Sequence, residues 1–206
     1  MQNNMYADHA RTLGGAGSNA ALIAALAAYQ PQNEQEEMDA AEILRRLNNG
    51  EALWTRDNAS AHLTASAWVV SPDRAKVLMC YHKLYRSWSW LGGHADGDTD
   101  LLAVALREVR EESGLTRLRP VSPDIYSVEI LTVDGHEKRG AYVSSHLHLN
   151  VTYLLEADPN EPLVIKEDEN SGLAWFSPEE AVERSSEPWF RERIYSKLNA
   201  KLAQFP

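Results

Sequence analysis

Residues 91–115, LGGHADGDTDLLAVALREVREESGL, bring together groups that can bind a divalent metal ion. At about 100° of rotation per residue, Glu108, Glu111 and Glu112 share one face of a helix predicted over about 99–113. Another, apolar face of this helix is formed by Leu102, Ala105, Leu106 and Val109. Carboxylate oxygens suit Mg²⁺ or Mn²⁺, and crowded like charges are unfavourable without a cation. The helix therefore predicts a metal site with room for phosphate oxygens.

Two glycines immediately before this helix extend the metal-site prediction. Gly92 and Gly93 let the backbone turn sharply and approach other groups closely, because they carry no side chain. A main-chain carbonyl there could therefore reach the metal held by the helix carboxylates.

The overall charge agrees with a small-molecule substrate. Thirty acidic and twenty basic residues give a net charge of -10, which argues against broad contact with nucleic acid phosphates. An anionic substrate would then need a bound cation as mediator, so we expect no bulk nucleic acid partner.

The spacing of these residues resembles a known signature. Residues 93–115 read G-x5-T-x7-R-E-V-x-E-E-x-G-L, which is similar to the Nudix hydrolase signature G-x5-E-x7-R-E-U-x-E-E-x-G-U, where U is aliphatic. The resemblance extends over about His62 to Arg184. It implies an α/β fold, an α/β/α sandwich around a mixed sheet. It also implies hydrolysis of a diphosphate linkage, usually in a nucleoside diphosphate derivative, with Mg²⁺ or Mn²⁺.

The resemblance assigns roles to individual residues of this box. Glu111 and Glu112 would be the principal metal ligands, and Glu108 a further ligand or the group that activates water. Arg107 would orient the glutamates, and Gly93 would contribute its carbonyl oxygen.

Thr99 departs from the signature, which has glutamate at that position. Threonine keeps a hydroxyl that can cap the helix, but it lacks a charge that could bind metal or pair with Arg107. Asp96, Asp98 and Asp100 are candidates to supply the missing carboxylate. Without compensation, the alternative is a catalytically weak Nudix-fold binding or regulatory module. A less favoured alternative is an isopentenyl-diphosphate isomerase, which needs a catalytic cysteine near the glycine loop.

Histidines outside the helix are candidate substrate ligands. His94 directly follows the glycines, and His146 and His148 stand two apart on a predicted strand, so their side chains point the same way. They could contact a phosphate or a metal, or simply pack on the sheet, and two histidines are too few to define a zinc site.

The segment before the box carries cationic and aromatic side chains. His82, Lys83 and Arg86 could meet a second phosphate or lie in a solvated loop. Tyr85, Trp88 and Trp90 could either stack on a nucleotide base or pack in the core. Glu167, Asp168 and Glu169 are candidates for a further carboxylate that acts as the general base.

The remaining patterns predict the domain organisation. They predict a mobile leader at residues 1–18 and a helical N-terminal arm at residues 19–60. Residues 61–206 are expected to form the catalytic domain with C-terminal helices. We expect the TVDGHEKRGAYVSS stretch to be a long mobile connection near the cleft, and EPWFRERIYSKLNAKL to be one amphipathic helix. The apolar arm could also serve a homodimer.

The cellular compartment is predicted from the single cysteine and from the short length of the apolar runs. Cys80 cannot form an internal disulfide and lies in a predicted buried strand, which fits a reducing cytoplasm. NAALIAALAAYQ is too short to span a bilayer, and an Ala-rich helix is favoured over a signal peptide. We therefore expect no membrane partner.

Overall fold

The computed structural model describes residues 15–138, 140–166 and 170–205. Its helices are α1 (Gly15–Ala28), α2 (Glu34–Asn48), α3 (Leu101–Ser113), α4 (Pro178–Arg184) and α5 (Ser196–Leu202), with a π-helical turn at Phe190–Tyr195. Its strands are β1 (Ala61–Val70), β2 (Val77–His82), β3 (Ser87–Ser89), β4 (Leu91–His94), β5 (Leu118–Pro120), β6 (Ser127–Val133), β7 (His136–Lys138), β8 (Ala141–Val143), β9 (His146–Ala157) and β10 (Asn170–Phe176).

A mixed sheet forms the centre of the fold. Its main path is β10-β2-β1-β9-β5, with β3 paired to β2, β4 to β1, and β6 to β9. β1 and β9 run parallel, while β4 pairs antiparallel with residues 64–67 of β1 and β2 pairs antiparallel with residues 69–70. The mixed sheet that the resemblance implies is confirmed.

Helices cover both faces of this sheet because β1 alternates between two apolar clusters. Leu63, Ala65 and Val69 belong to the cluster that contains α1, α2 and α3, whereas Trp68 and Val70 belong to the cluster that contains α4 and α5. The predicted α/β/α sandwich is therefore confirmed. α3 packs on the face of β1 that carries Leu63, Ala65 and Val69.

The N-terminal arm is a layer of this sandwich. Its apolar side chains Leu22, Leu26, Ala40, Ile43 and Leu47 are all buried in the main core. The buried Glu36 carboxylate of α2 also accepts a hydrogen bond from Lys201 of α5, at 2.6 Å. These apolar groups are thus covered by their own chain, and the possible homodimer stays a prediction.

Several element boundaries differ from the sequence-based expectations. α1 begins at Gly15, inside the predicted leader, and residues 1–14 lie outside the described part of the chain. The expected long connection contains the β7–β8 hairpin, and the single closing helix is interrupted by the π-helical turn. Apolar periodicity does not distinguish these local backbone geometries. No helix in the described ranges is both long and apolar enough to cross a membrane.

The start of α3 corrects the expected cap. The N-cap is Asp100, whose carboxylate accepts a hydrogen bond from the Ala103 N–H at 3.0 Å, and Thr99 is exposed before it. Aspartate is at least as good an N-cap as threonine, so the next residue along the chain takes the role predicted for Thr99. At the other end, Gly114 adopts φ 73°, the left-handed conformation that ends many helices.

Candidate active site

Gly93 allows the α3 carboxylates to approach the sheet. A Cβ atom at Gly93 would lie 2.5 Å from the carboxylate carbon of Glu108, which is closer than real Cβ atoms approach other atoms. A side chain there would displace the carboxylate, so the glycine and Glu108 form a matched pair. The close approach expected of this glycine is present in the structure.

Glu108 has an environment that favours binding a proton or a cation. Its side chain is 16% exposed, and Arg107 Nη2 donates to its carboxylate at 3.3 Å. Burial, followed by repulsion from Glu111, raises the pKa of Glu108 despite the opposing effect of Arg107. A nearby divalent cation would relieve both unfavourable effects.

Glu112 is the most constrained of the three glutamates. It is 4% exposed, and its two oxygens accept hydrogen bonds from the Gly92 N–H at 2.9 Å and from Asn170 Nδ2 at 3.1 Å. Asn170 is itself buried at the start of β10. Sequence reasoning missed Asn170 because it searched this stretch for carboxylates. The candidates Glu167, Asp168 and Glu169 lie outside the described residues.

Glu111 is the solvent-facing member of the cluster. About half of its side chain is exposed, and Lys166 Nζ lies 3.7 Å from its carboxylate. The cluster therefore runs from a fixed, buried carboxylate to an exposed one, which allows a ligand to reach it from solvent.

The three aspartates near Thr99 have different partners. Asp98 accepts a hydrogen bond from Arg107 Nη1 at 3.1 Å, and Asp100 caps α3. Asp96 pairs with Arg56, with Nη2 at 2.7 Å from a carboxylate oxygen. Asp98 thus supplies the carboxylate partner of Arg107 that Thr99 cannot.

The donor set fits a hard divalent cation. Glu108, Glu111 and Glu112 offer carboxylate oxygens. Because Gly93 has no side chain, the β4 backbone lies directly beside the Glu108 carboxylate. Oxygen ligands of this kind suit Mg²⁺ or Mn²⁺.

An open cavity of about 780 Å³ is lined by the β2–β3 turn, the end of β6 and the segment before the π-helical turn. The exposed aromatic side chains Tyr85 and Trp189 contribute to its wall. Of the three aromatics predicted to stack or pack, Tyr85 lines this cavity. Trp88 packs edge-on against Phe176, and Trp90 is buried beside Tyr195.

The predicted cationic group lies beside the same cavity. The His82 ring is 4.7 Å from the Tyr85 ring, and Lys83 and Arg86 are exposed in the turn that carries Tyr85. The structure thus brings His82, Lys83 and Arg86 together in one loop.

The other predicted histidines converge around a residue that sequence reasoning missed. The His62 ring centroid lies 5.1 Å from that of His94, 4.9 Å from that of His146 and 5.1 Å from that of His148. His62 and His148 are register partners in the parallel β1–β9 pair. Detecting His62 required knowledge of that pairing, since 86 residues separate the two positions.

These histidines lie on the sheet face opposite α3, and two of them, His62 and His148, favour the neutral state. Because side chains alternate along a strand, His62 and Trp68 of β1 point to the same face of the sheet. Trp68 belongs to the apolar cluster that contains α4 and α5. Burial, followed by repulsion from His94 and His62, lowers the pKa of His148 to about 2, and burial also lowers the pKa of His62. At neutral pH, His62 and His148 therefore offer lone pairs and N–H groups and no positive charge.

Comparisons with known proteins identify the family. A family profile described as NUDIX domain matches residues 60–198, which is more than half of the chain. A search of curated proteins gives no match. Among solved structures, the Nudix hydrolase RenU from M. smegmatis is 19% identical, covers 77% of this chain and 92% of its own, and superposes with a TM-score of 0.51.

Two further solved structures are more distant. A C. elegans Ap4A hydrolase, solved as a binary complex, is 18% identical, with 69% of this chain and 98% of its own covered and a TM-score of 0.48. The E. coli dihydroneopterin triphosphate pyrophosphohydrolase is 16% identical, with 66% and 92% covered and a TM-score of 0.48. On the family profile and the box residues, this chain belongs to the Nudix family of pyrophosphohydrolases.

Proposed function

We propose that this chain is an active, cytoplasmic Nudix hydrolase that uses Mg²⁺ or Mn²⁺ to cleave a diphosphate linkage in a nucleoside diphosphate derivative or related small molecule. The observation that carries the proposal is the Glu108 carboxylate, which lies against the Gly93 backbone at a distance that only glycine permits. Glu111 and Glu112 lie on the same helix and offer further carboxylate oxygens.

Each box residue has a role that its surroundings support. Glu112 is held by two hydrogen bonds and is positioned as a metal ligand, and the exposed Glu111 is a second ligand. Glu108 has a raised pKa and is suited to accept a proton from the attacking water or to complete the ligand set. Arg107 orients Glu108. A divalent cation held by these carboxylates would neutralise charge on the diphosphate.

The Arg107–Asp98 contact favours an enzyme over a binding-only relative. Thr99 removes one carboxylate of the signature, and the Asp98 carboxylate replaces it as a partner of Arg107 at 3.1 Å. Arg107 is therefore held on both sides, by Asp98 and by Glu108, and remains able to orient the catalytic glutamate.

The position of Cys80 supports hydrolysis over isomerisation. Cys80 is 1% exposed within β2, and its thiol donates to the Trp90 carbonyl at 3.5 Å. A buried thiol in that position is not available to a substrate. Its burial and the lack of a second cysteine agree with a reducing compartment.

The cavity beside the β2–β3 turn is our candidate site for the group attached to the diphosphate. Tyr85 and Trp189 offer exposed aromatic surface for a base or another flat group. Lys83 and Arg86, with His82, are our candidates for contacts with the second phosphate. The predicted substrate contacts of His94, His146 and His148 stay a prediction.

A substrate panel tests this proposal directly. Purified protein is incubated with nucleoside diphosphate sugars, dinucleoside polyphosphates and nucleoside triphosphates, with Mg²⁺ or Mn²⁺, and the products are separated by ion-exchange chromatography. We expect hydrolysis by the wild type and by the control Glu183→Gln, which changes an exposed glutamate of α4, and strong loss in Glu108→Gln. No hydrolysis of any compound, together with no Mn²⁺ binding at millimolar concentration, would favour the binding module instead.

A further inference from the structure

Three histidines from three strands converge on the sheet face away from α3. His62 of β1 pairs in register with His148 of β9, and His94 lies at the end of β4, where it pairs with Thr64. One ring nitrogen from each of His62, His94 and His148 lies within 4.8 Å of the others. The three imidazoles therefore surround one point in space.

His62 directs an unused lone pair into this cluster. Its Nδ1 lies 3.1 Å from the carbonyl oxygen of Asn58, and because a carbonyl only accepts hydrogen bonds, Nδ1 carries the proton. The other nitrogen, Nε2, is therefore a lone-pair donor to a metal. His62 is 4% exposed, and its Nε2 has no hydrogen-bond partner among the described residues. A buried polar atom without a partner is unfavourable, and a bound ion would supply that partner.

A fourth histidine orients the cluster. His146 Nδ1 lies 2.8 Å from the Ser144 carbonyl, so it is protonated by the same reasoning, and His146 Nε2 is an acceptor. That atom lies 3.2 Å from His148 Nε2. His148 Nε2 therefore donates this bond, and the Nδ1 atom of the neutral His148 ring keeps its lone pair. Backbone carbonyls that fix the tautomers of metal-binding histidines are a common feature of metal sites.

We propose that His62, His94 and His148 bind a transition-metal ion of the Zn²⁺ class, with His146 as a hydrogen-bonded neighbour, at a site separate from the carboxylates of α3. Neutral imidazole nitrogens suit Zn²⁺, Ni²⁺ and Co²⁺, whereas Mg²⁺ prefers oxygen ligands. Three protein ligands leave one position of a tetrahedral ion for water or a substrate atom.

The ring nitrogens are close to the spacing that an ion needs. Zn–N bonds of about 2.0–2.1 Å place tetrahedral ligand nitrogens about 3.4 Å apart. The nitrogens of the three histidines lie within 4.8 Å of one another, so the rings would move closer together around an ion. The fourth histidine connects the cluster to the open cavity, because His136 lines that cavity and its ring centroid lies 6.3 Å from that of His146. The zinc proposal does not depend on hydrolysis.

Metal titration of the full chain, prepared without a histidine affinity tag and stripped with chelator, tests the site. Zn²⁺ alone is followed by calorimetry, and Co²⁺ alone by its visible absorption. We expect one Zn²⁺ per chain and tetrahedral Co²⁺ bands in the wild type. The expected loss of affinity is at least about tenfold in His62→Gln and His148→Gln. The control His82→Gln, a histidine outside the cluster, and Glu111→Gln, in the carboxylate site, should both bind Zn²⁺ as the wild type does.

X-ray absorption of the Zn²⁺-loaded wild type keeps the test decisive if a variant fails to fold. We expect scattering from at least three imidazole ligands at about 2.0–2.1 Å. The proposal is overturned if the wild type binds no Zn²⁺, if folded His62→Gln binds it unchanged, or if fewer than three imidazoles surround the ion.

Discussion

The two faces of β4 carry different chemistry. Gly93 faces the carboxylates of α3, where Glu108 lies against the strand, and the next residue, His94, faces a cluster of imidazoles. The carboxylates come from a single helix, whereas the imidazoles come from three strands. Oxygen ligands on one face and nitrogen ligands on the other select different cations. Because side chains alternate along a strand, β4 separates the oxygen ligands on one face from the nitrogen ligands on the other.

The largest expected effect is on the carboxylate face. Glu108→Gln keeps the shape of the side chain but removes its charge and its ability to accept a proton. We expect kcat to fall by about 10²–10⁴-fold, the range of general base catalysis, while circular dichroism stays unchanged. The measurement is the initial rate at saturating Mg²⁺ on the best substrate of the panel. A wild-type kcat in this variant would remove Glu108 from the mechanism.

A second pair of variants separates two neighbouring glutamates. Glu112→Gln places an NH₂ group against either the Gly92 N–H or Asn170 Nδ2, so one buried donor loses its acceptor. We expect the free energy of unfolding to fall by about 1–3 kcal/mol in urea titrations. The exposed Glu111→Gln is the matched control and should change it by less than about 0.5 kcal/mol. Both variants should lose most activity. Equal stability would show that the Glu112 hydrogen bonds contribute little.

The Arg107 contacts predict a smaller effect. Asp98→Asn removes the charged partner of Arg107, and we expect kcat to fall by about tenfold, the size of a partly exposed ionic contact that is lost. Asp100→Asn is the control, because asparagine caps a helix as well as aspartate does, and its rate should stay near the wild-type value.

The substitution with the smallest expected effect tests whether Thr99 weakens the enzyme. Since Asp98 already pairs with Arg107, Thr99→Glu should change kcat by less than about threefold and should leave the Mn²⁺ affinity measured by calorimetry nearly unchanged. A large gain in rate and in Mn²⁺ affinity would instead show that the natural threonine leaves the site incomplete.

The two faces also differ in how far the sequence predicts them. Glu108, Glu111 and Glu112 share a helix, so helical periodicity was sufficient to place them together, and their spacing identified the family. His62 joins His148 only through parallel strand pairing across 86 residues, which no local pattern reveals. The capping error at Thr99 arose because two good capping residues are adjacent, and sequence alone does not decide between them.

Partners within the carboxylate site show the same limit. The periodicity of α3 does not predict that Asn170, which is 58 residues from Glu112, donates to its carboxylate. Asp98 was one of three equivalent candidates in the sequence, and the fold distinguishes them by giving each a different partner. Chemistry within one element is thus predictable from spacing, whereas contacts between elements depend on the tertiary fold.

The central claim is that the two faces of β4 bind different classes of cation. Anomalous X-ray diffraction from crystals soaked with Mn²⁺, Zn²⁺ and a non-hydrolysable diphosphate, measured at the absorption edge of each metal, tests it most directly. We predict an Mn²⁺ peak beside Glu108, Glu111 and Glu112, and a Zn²⁺ peak about 2.0–2.1 Å from nitrogens of His62, His94 and His148. A Zn²⁺ peak among the carboxylates with none at the histidines, or no Mn²⁺ peak beside α3, would contradict the account.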